Sequence, residues 1–409
     1  MWLVVSVVAV LLTGVGVARS DPPDPLGDLV DPPHVLASVL PTPLADPFYI
    51  PPVGFEKHSA GTVLASRTVR NWFPASVRST ELLIRSTDAA DRPVPVVATL
   101  LVPEAALPGA GPRPLVSYNI PISSLGNTCA PSRQLQEGVQ ADQVSIGLLL
   151  ARGYAVVVPD HQGPRQAYAA GRMGGHAVLD ALRAAVHAGV PALQPDSPIV
   201  LSGYSGGATA TGWAAQLAPE YAPELRLAGA LIGGVPADYE LLARSMDGVN
   251  GASGIFLAAT LGLAREYPEL LSLLNDDGWR LAHAMKDLCV GAEAVLGLPT
   301  SLKVERFTNV PDPMSLPWVR KILADNRLGA SAPRAPALIY HGVDEFWIPF
   351  EQARNLYDDW CARGAQVRLD PLPGEHLAVG ALAIPATGEW VEHMFAGDLV
   401  PPGCSRAIG

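Results

Sequence analysis

The chain has 409 residues, enough for one large α/β domain with an insertion or for two average domains. Apolar residues make up 49% and charged residues only 16%, which excludes disorder and implies a sizeable core. The net charge of −11 comes without a Lys/Arg cluster, so nucleic acid is excluded as a natural partner and the surface is read as acidic and solvated.

The run from Trp2 to Leu12 is apolar, and Gly16-Val17-Ala18 resembles a signal-peptidase site. It is shorter than the ~20 apolar residues needed to span a bilayer, so residues 1–18 are predicted to be a leader and the protein to be secreted. Residues 19–75 are proline-rich (DPPDPLGDLVDPPHVL, LPTPLADPFYIPPVGF) and predict an extended arm over the body. STELLIRST and VPVVATLLVP flank DAADRP and predict an antiparallel hairpin. RPLVSYN, GYAVVVPD, PIVLSGYS, LAGALIGG and PALIYHG are short, nearly continuous apolar runs. Most alternate with helical patterns such as HAVLDALRAAVHAG, which predicts a parallel sheet covered on both faces. The core is therefore placed at 76–236 and 329–409. Between them, 237–328 carries only helix-like stretches, among them DYELLARSM and SGIFLAATLGLAREYPELLSLL, and is expected to be an inserted helical cap.

Cys129, Cys289, Cys361 and Cys404 lie far apart with no C-x-x-C spacing. In an exported chain they predict two disulfides, with three connectivities open, rather than a metal site.

Gly203-Tyr204-Ser205-Gly206-Gly207 matches G-x-S-x-G. The pattern alone is weak in a glycine-rich chain, but an apolar run precedes it and a helical pattern follows, the layout of a nucleophile elbow. Ser205 is the candidate nucleophile, and the N–H of Gly206 the candidate oxyanion donor. The order Ser, acid, His selects the base among nine histidines. His341 precedes the acids, and His393 in EWVEHMFAG is expected on a helix surface. His376 in LPGEHLAVG follows a strand-like run and is the candidate base. The acid is Asp344 or Glu345 in YHGVDEFWIPF. No zinc, nucleotide-loop or dinucleotide motif competes, and no cofactor is implied.

Several stretches together, GYSGGATATGWAAQLAPEYAPEL, GYAVVVPDHQGP, CAPS, HAVLDALRA and GEHLAVG, resemble the secretory lipase family over about Val77 to Ala396. The resemblance implies an α/β-hydrolase fold with a late helical cap, secretion, and hydrolysis of carboxylic esters, typically acylglycerols, with transient contact at a lipid interface. It puts Ser205 at the nucleophile and His376 at the base. Counting from His341 to Pro349 puts Glu345 at the acid, whereas matching the letters D-E puts Asp344 there; Glu345 is favoured. It places Ser123, where the family has aspartate, as the second oxyanion donor. It also implies the pairs Cys129–Cys289 and Cys361–Cys404. The rival expectations are a short-chain esterase or serine peptidase on the same fold, and a non-catalytic binding protein.

Overall fold

The computed structural model describes residues 29–407, apart from 75, 107–110, 122, 191–192, 250–251 and 298–301. The predicted leader at 1–18 lies outside the described residues. From residue 29 to 62 the chain makes only short 3-10 turns, as its prolines dictate. Strand β1 (Val63–Thr68) then pairs antiparallel with β2 (Val77–Thr87). This strand corrects the expectation of irregular chain to residue 75. Residues 63–68 are free of proline and keep their N–H groups for an edge ladder.

β2 pairs with β3 (Pro93–Pro103) along its whole length, from Val77 opposite Pro103 to Thr87 opposite Pro93. Asp88 sets the turn between them. Its Oδ1 accepts from the N–H groups of Ala90 and Arg92, both at 2.9 Å, the local bond that makes aspartate a turn former. β4 (Leu115–Asn119), β5 (Ala155–Pro159), β6 (Ile199–Tyr204), β7 (Leu227–Gly233), β8 (Ala337–Gly342), β9 (Val367–Leu372) and β10 (Cys404–Arg406) complete a sheet of order β1-β2-β3-β5-β4-β6-β7-β8-β9-β10. All pairs from β5 onward in that order are parallel. β4, β5 and β8 are buried at every residue, which is why they read as unbroken apolar runs.

Helices α1 (Pro131–Glu137), α2 (Gln143–Ala151), α3 (Gly171–Val186) and α4 (Gly206–Tyr221) connect the first strands. Helices α5 (Tyr239–Met246), α6 (Ser253–Glu266), α7 (Asp276–Met285), α8 (Val290–Gly297) and α9 (Pro317–Asp325) fill the interval between β7 and β8. The last two are α10 (Phe350–Ala362) and α11 (His376–Ala396). Val178 and Leu182 of α3, Trp213 of α4 and Trp360 of α10 pack on one sheet face. Ile146 and Leu149 of α2 and Val379 and Met394 of α11 pack on the other. The helices between β7 and β8 pack around Phe256, Leu263, Trp279 and Met285, in a core shared with Val94 and Val96 of β3 and Met173 and Ala177 of α3.

Two devices fasten this cap to the body. The Cys129–Cys289 disulfide ties the turn before α1 to the segment before α8. The other disulfide, Cys361–Cys404, links α10 to β10, so both pairs are those the family resemblance implied. The second fastening is Arg265 of α6, which is wholly buried. It donates to the carbonyls of Val39, Leu125, Arg165, Gln166 and Lys286 at 2.8–3.2 Å. Burial pulls the guanidinium down to about 10, so it remains a cation at neutral pH. Arg265→Met is expected to cost about 3 kcal/mol or more, because it takes from the buried carbonyls of Val39 and Leu125, and from others at their edge, the donor they share. Urea unfolding monitored by tryptophan fluorescence checks this, and an unchanged midpoint contradicts it.

Candidate active site

Ser205 stands between β6 and α4 with φ 55° and ψ −124°, a conformation that costs a non-glycine residue about 1–3 kcal/mol. The turn is held from both sides. The Ser205 N–H donates to Gly233 O of β7 at 2.8 Å. A Cβ on Gly203 would overlap the Gly207 carbonyl, and one on Gly207 would overlap the Asn119 carbonyl of β4. These two glycines therefore permit the close strand–helix contact that holds the serine at the helix N-terminus.

His376 is the first residue of α11 rather than part of the loop the sequence suggested. The N-cap Glu375 starts the helix there by accepting from Leu377 N at 3.0 Å and Ala378 N at 2.9 Å. Tyr204, immediately before the serine, donates its hydroxyl to His376 O at 2.6 Å, which locks the two elements together. The imidazole Nε2 lies 3.0 Å from Ser205 Oγ, and its Nδ1 lies 2.7 Å from Glu345 Oε2. The rings of Tyr204 and Trp347 flank it and limit water access.

The structure brings Glu345, and not Asp344, to the histidine. Glu345 is buried, and its Oε1 accepts from Trp347 N at 3.0 Å and Ile348 N at 3.2 Å. Burial pushes its carboxyl up, but the His376 bond and those two N–H groups outweigh it and hold the pKa below the usual 4.5. Asp344 is exposed and turns the other way. Its Oδ2 accepts from Gly374 N at 3.1 Å, while its N–H donates to Gly374 O at 3.2 Å. His341 is buried and donates its Nε2–H to Ile348 O at 2.7 Å, and His393 sits exposed beside Asp398; neither hydrogen-bonds to Ser205, His376 or Glu345.

The N–H of Gly206, at the first position of α4, belongs to the helix-start donors that have no intrahelical acceptor. Ser123 departs from expectation. It is buried, and its N–H and hydroxyl both donate to Gln162 Oε1, at 3.2 and 2.8 Å. Ser124 N also donates to that oxygen at 3.3 Å, and Gln162 Nε2 donates back to Ser124 O at 2.8 Å. The carboxamide thus claims the donor that the sequence assigned to an oxyanion. The Ser124 hydroxyl donates in turn to Glu293 of α8, whose carboxyl burial pushes up to about 8. Gln162 lies in the GYAVVVPDHQGP stretch, but nothing in the pattern announced that it would clamp residues 123 and 124.

Ser205 and His376 open into a cavity of about 570 Å³. Its cap side is lined by Leu242, Met246, Ile255 and Phe256, and its α11 side by Leu377, Gly380 and Ile384. A serine at a helix start, an imidazole in contact with it, a carboxylate on the imidazole and a chamber with an apolar wall form the kind of constellation that acyl transfer requires.

Comparison with known proteins agrees with this layout. The sequence pattern described as "Secretory lipase" matches residues 130–401. A probable inactive lipase of Mycobacterium tuberculosis is 34% identical over 375 residues, covering 87% of this chain and 83% of its own. Lipase 5 of Candida albicans is 33% identical over 397 residues, covering 90% and 84%. The crystal structure of Candida antarctica lipase A in its closed state superposes with a TM-score of 0.83 at 29% identity, over 91% of both chains. The fold is that of the α/β-hydrolases, and with the family pattern running from just before α1 to just beyond α11 and the serine, histidine and carboxylate of the site inside it, the chain belongs to the secretory lipases.

Proposed function

We propose that the protein is a secreted serine carboxylic-ester hydrolase acting on acylglycerols, with Ser205 as nucleophile, His376 as general base and then acid, and Glu345 as the orienting carboxylate. The observation that carries the reading is the unbroken line Glu345–His376–Ser205, with contacts of 2.7 and 3.0 Å. His376 takes the Ser205 proton as Oγ attacks the ester carbonyl. The Gly206 N–H stabilises the oxyanion, a donor of the kind worth about 3 kcal/mol. His376 then protonates the departing alcohol, and water hydrolyses the acyl-enzyme by the same route. Ser123 serves as a second donor only when its N–H leaves Gln162.

The apolar cap wall supports an acyl-chain role, and Leu377 and Leu382, 62% and 67% exposed on α11, support contact with a lipid surface beside the chamber. Two disulfides and the family support an extracellular location, with residues 1–18 as the leader and 237–328 as the cap. Treatment with diethyl p-nitrophenyl phosphate is expected to add one diethylphosphoryl group to the peptide holding Ser205. A p-nitrophenyl ester series is expected to give kcat/KM rising at least about tenfold from acetyl to octanoyl, since each buried methylene contributes about 0.8 kcal/mol. A profile restricted to acetyl and propionyl esters contradicts the lipase reading.

A further inference from the structure

The chamber next to Ser205 has a second wall of different chemistry. Opposite the apolar cap side, Tyr118 of β4, Asp142 and Ser145 at the start of α2, Tyr340 of β8 and Thr387 of α11 all line it. Asp142 stands at the N-cap of α2 but makes no side-chain cap bond, although aspartate there usually bonds the free N–H groups of the first turn. Its Oδ1 instead accepts the Tyr118 hydroxyl at 2.9 Å. No ion pair to Asp142 occurs among the described residues, and burial pushes its carboxyl above the ordinary range. A carboxylate acceptor, held in place by one tyrosine, thus faces the chamber from a wall of hydroxyl-bearing side chains, opposite in chemistry to the apolar cap side.

An acyl chain laid against this wall would strip water from the carboxyl and offer it no donor, which disfavours that placement. The cap wall has no such group. The direction of the reaction fixes the other half. His376 must hand its proton to the leaving oxygen, so the alcohol lies on the histidine side. α11 begins at His376 and carries Gly380, Ala383 and Thr387 along the chamber toward the polar wall.

Resting on the reading of Ser205 as nucleophile, we propose that this wall is the leaving-group site, and that Asp142, positioned by Tyr118, selects esters whose alcohol carries free hydroxyls, as in partial glycerides, over esters of plain alkanols. A hydroxyl of the departing alcohol donates to Asp142, and an alkyl group in the same place leaves the carboxyl with the Tyr118 hydroxyl alone. Sites that hydrogen-bond a substrate hydroxyl discriminate strongly against the analogue that lacks it.

The test compares kcat/KM for 1-octanoylglycerol and propyl octanoate, both kept monomeric, since the two share acyl chain and carbon skeleton and differ in two hydroxyls. Wild type is expected to favour the glycerol ester about tenfold or more. Asp142→Leu is expected to bring the ratio below about threefold, with Asp142→Asn in between because the amide oxygen still accepts. Tyr118→Phe, which deletes one hydroxyl and leaves the ring, is expected to lower the ratio in the same direction. A wild-type ratio near one, or a ratio unchanged in Asp142→Leu, overturns the leaving-group site while leaving the serine-hydrolase reading intact. Failure to hydrolyse either ester, together with failure of Ser205 to take up the phosphoryl label, overturns both.

Discussion

Under the proposed mechanism, Ser205→Ala is expected to lower kcat on a soluble octanoyl ester by about 10⁴-fold or more, because a triad that loses its nucleophile loses the function of base and acid along with it. The fold is expected to survive. Alanine keeps the Cβ, and the serine hydroxyl contributes only its contact with His376. Ser205→Gly sharpens the test, since glycine accepts φ 55° without strain. That variant should be as inactive as alanine yet unfold at a higher temperature than it, which separates catalytic loss from damage. Retained turnover in either variant removes Ser205 from the mechanism. A wild-type chain inert toward every ester tested, with no phosphoryl label on Ser205, places it beside the relative named a probable inactive lipase.

Glu345→Gln is expected to reduce kcat by about 10³–10⁴-fold while substrate binding changes little. The amide fills the same volume and still receives the N–H groups of Trp347 and Ile348 through its oxygen. Its NH₂ then faces His376 Nδ1, which favours the tautomer with the proton on Nε2 and leaves no base toward Ser205. Asp344→Asn is expected to stay within about threefold of wild type, because the amide can keep the bond from Gly374 N in an exposed loop. The reverse ranking would assign the acid to Asp344.

Ser205 and His376 were legible because the nucleophile turn has a local signature and chain order eliminates most histidines. The central strands were legible for a related reason. Burial on both faces turns β4, β5 and β8 into continuous apolar runs. β10 was not, since three residues held at a sheet edge beside the Cys361–Cys404 bridge leave no pattern. The choice between Asp344 and Glu345 was open in the residues themselves, because adjacent carboxylates differ only in backbone direction, and Gly374 decides it from 30 positions away. The reach of the Ser123 N–H depends on Gln162, 39 positions on, and the setting of Asp142 on Tyr118, 24 positions back. Arg265 was hidden for the same reason. In a helical run it resembles any solvated arginine, and only the packed structure supplies its five carbonyls.

That arginine also joins separate parts of the molecule. Its acceptors come from the arm, the loop after β4, the loop after β5 and the cap itself, the farthest 226 positions away. The guanidinium leaves water without loss only when all of these segments are in place, so its burial couples them to one another. Cap and sheet are therefore expected to melt as one cooperative unit, since lifting the cap as a rigid flap would leave a buried cation stranded. The exposed side chains of Leu377 and Phe346, next in the chain to His376 and Glu345 respectively, are not held by this arrangement and can rearrange while the cap stays seated.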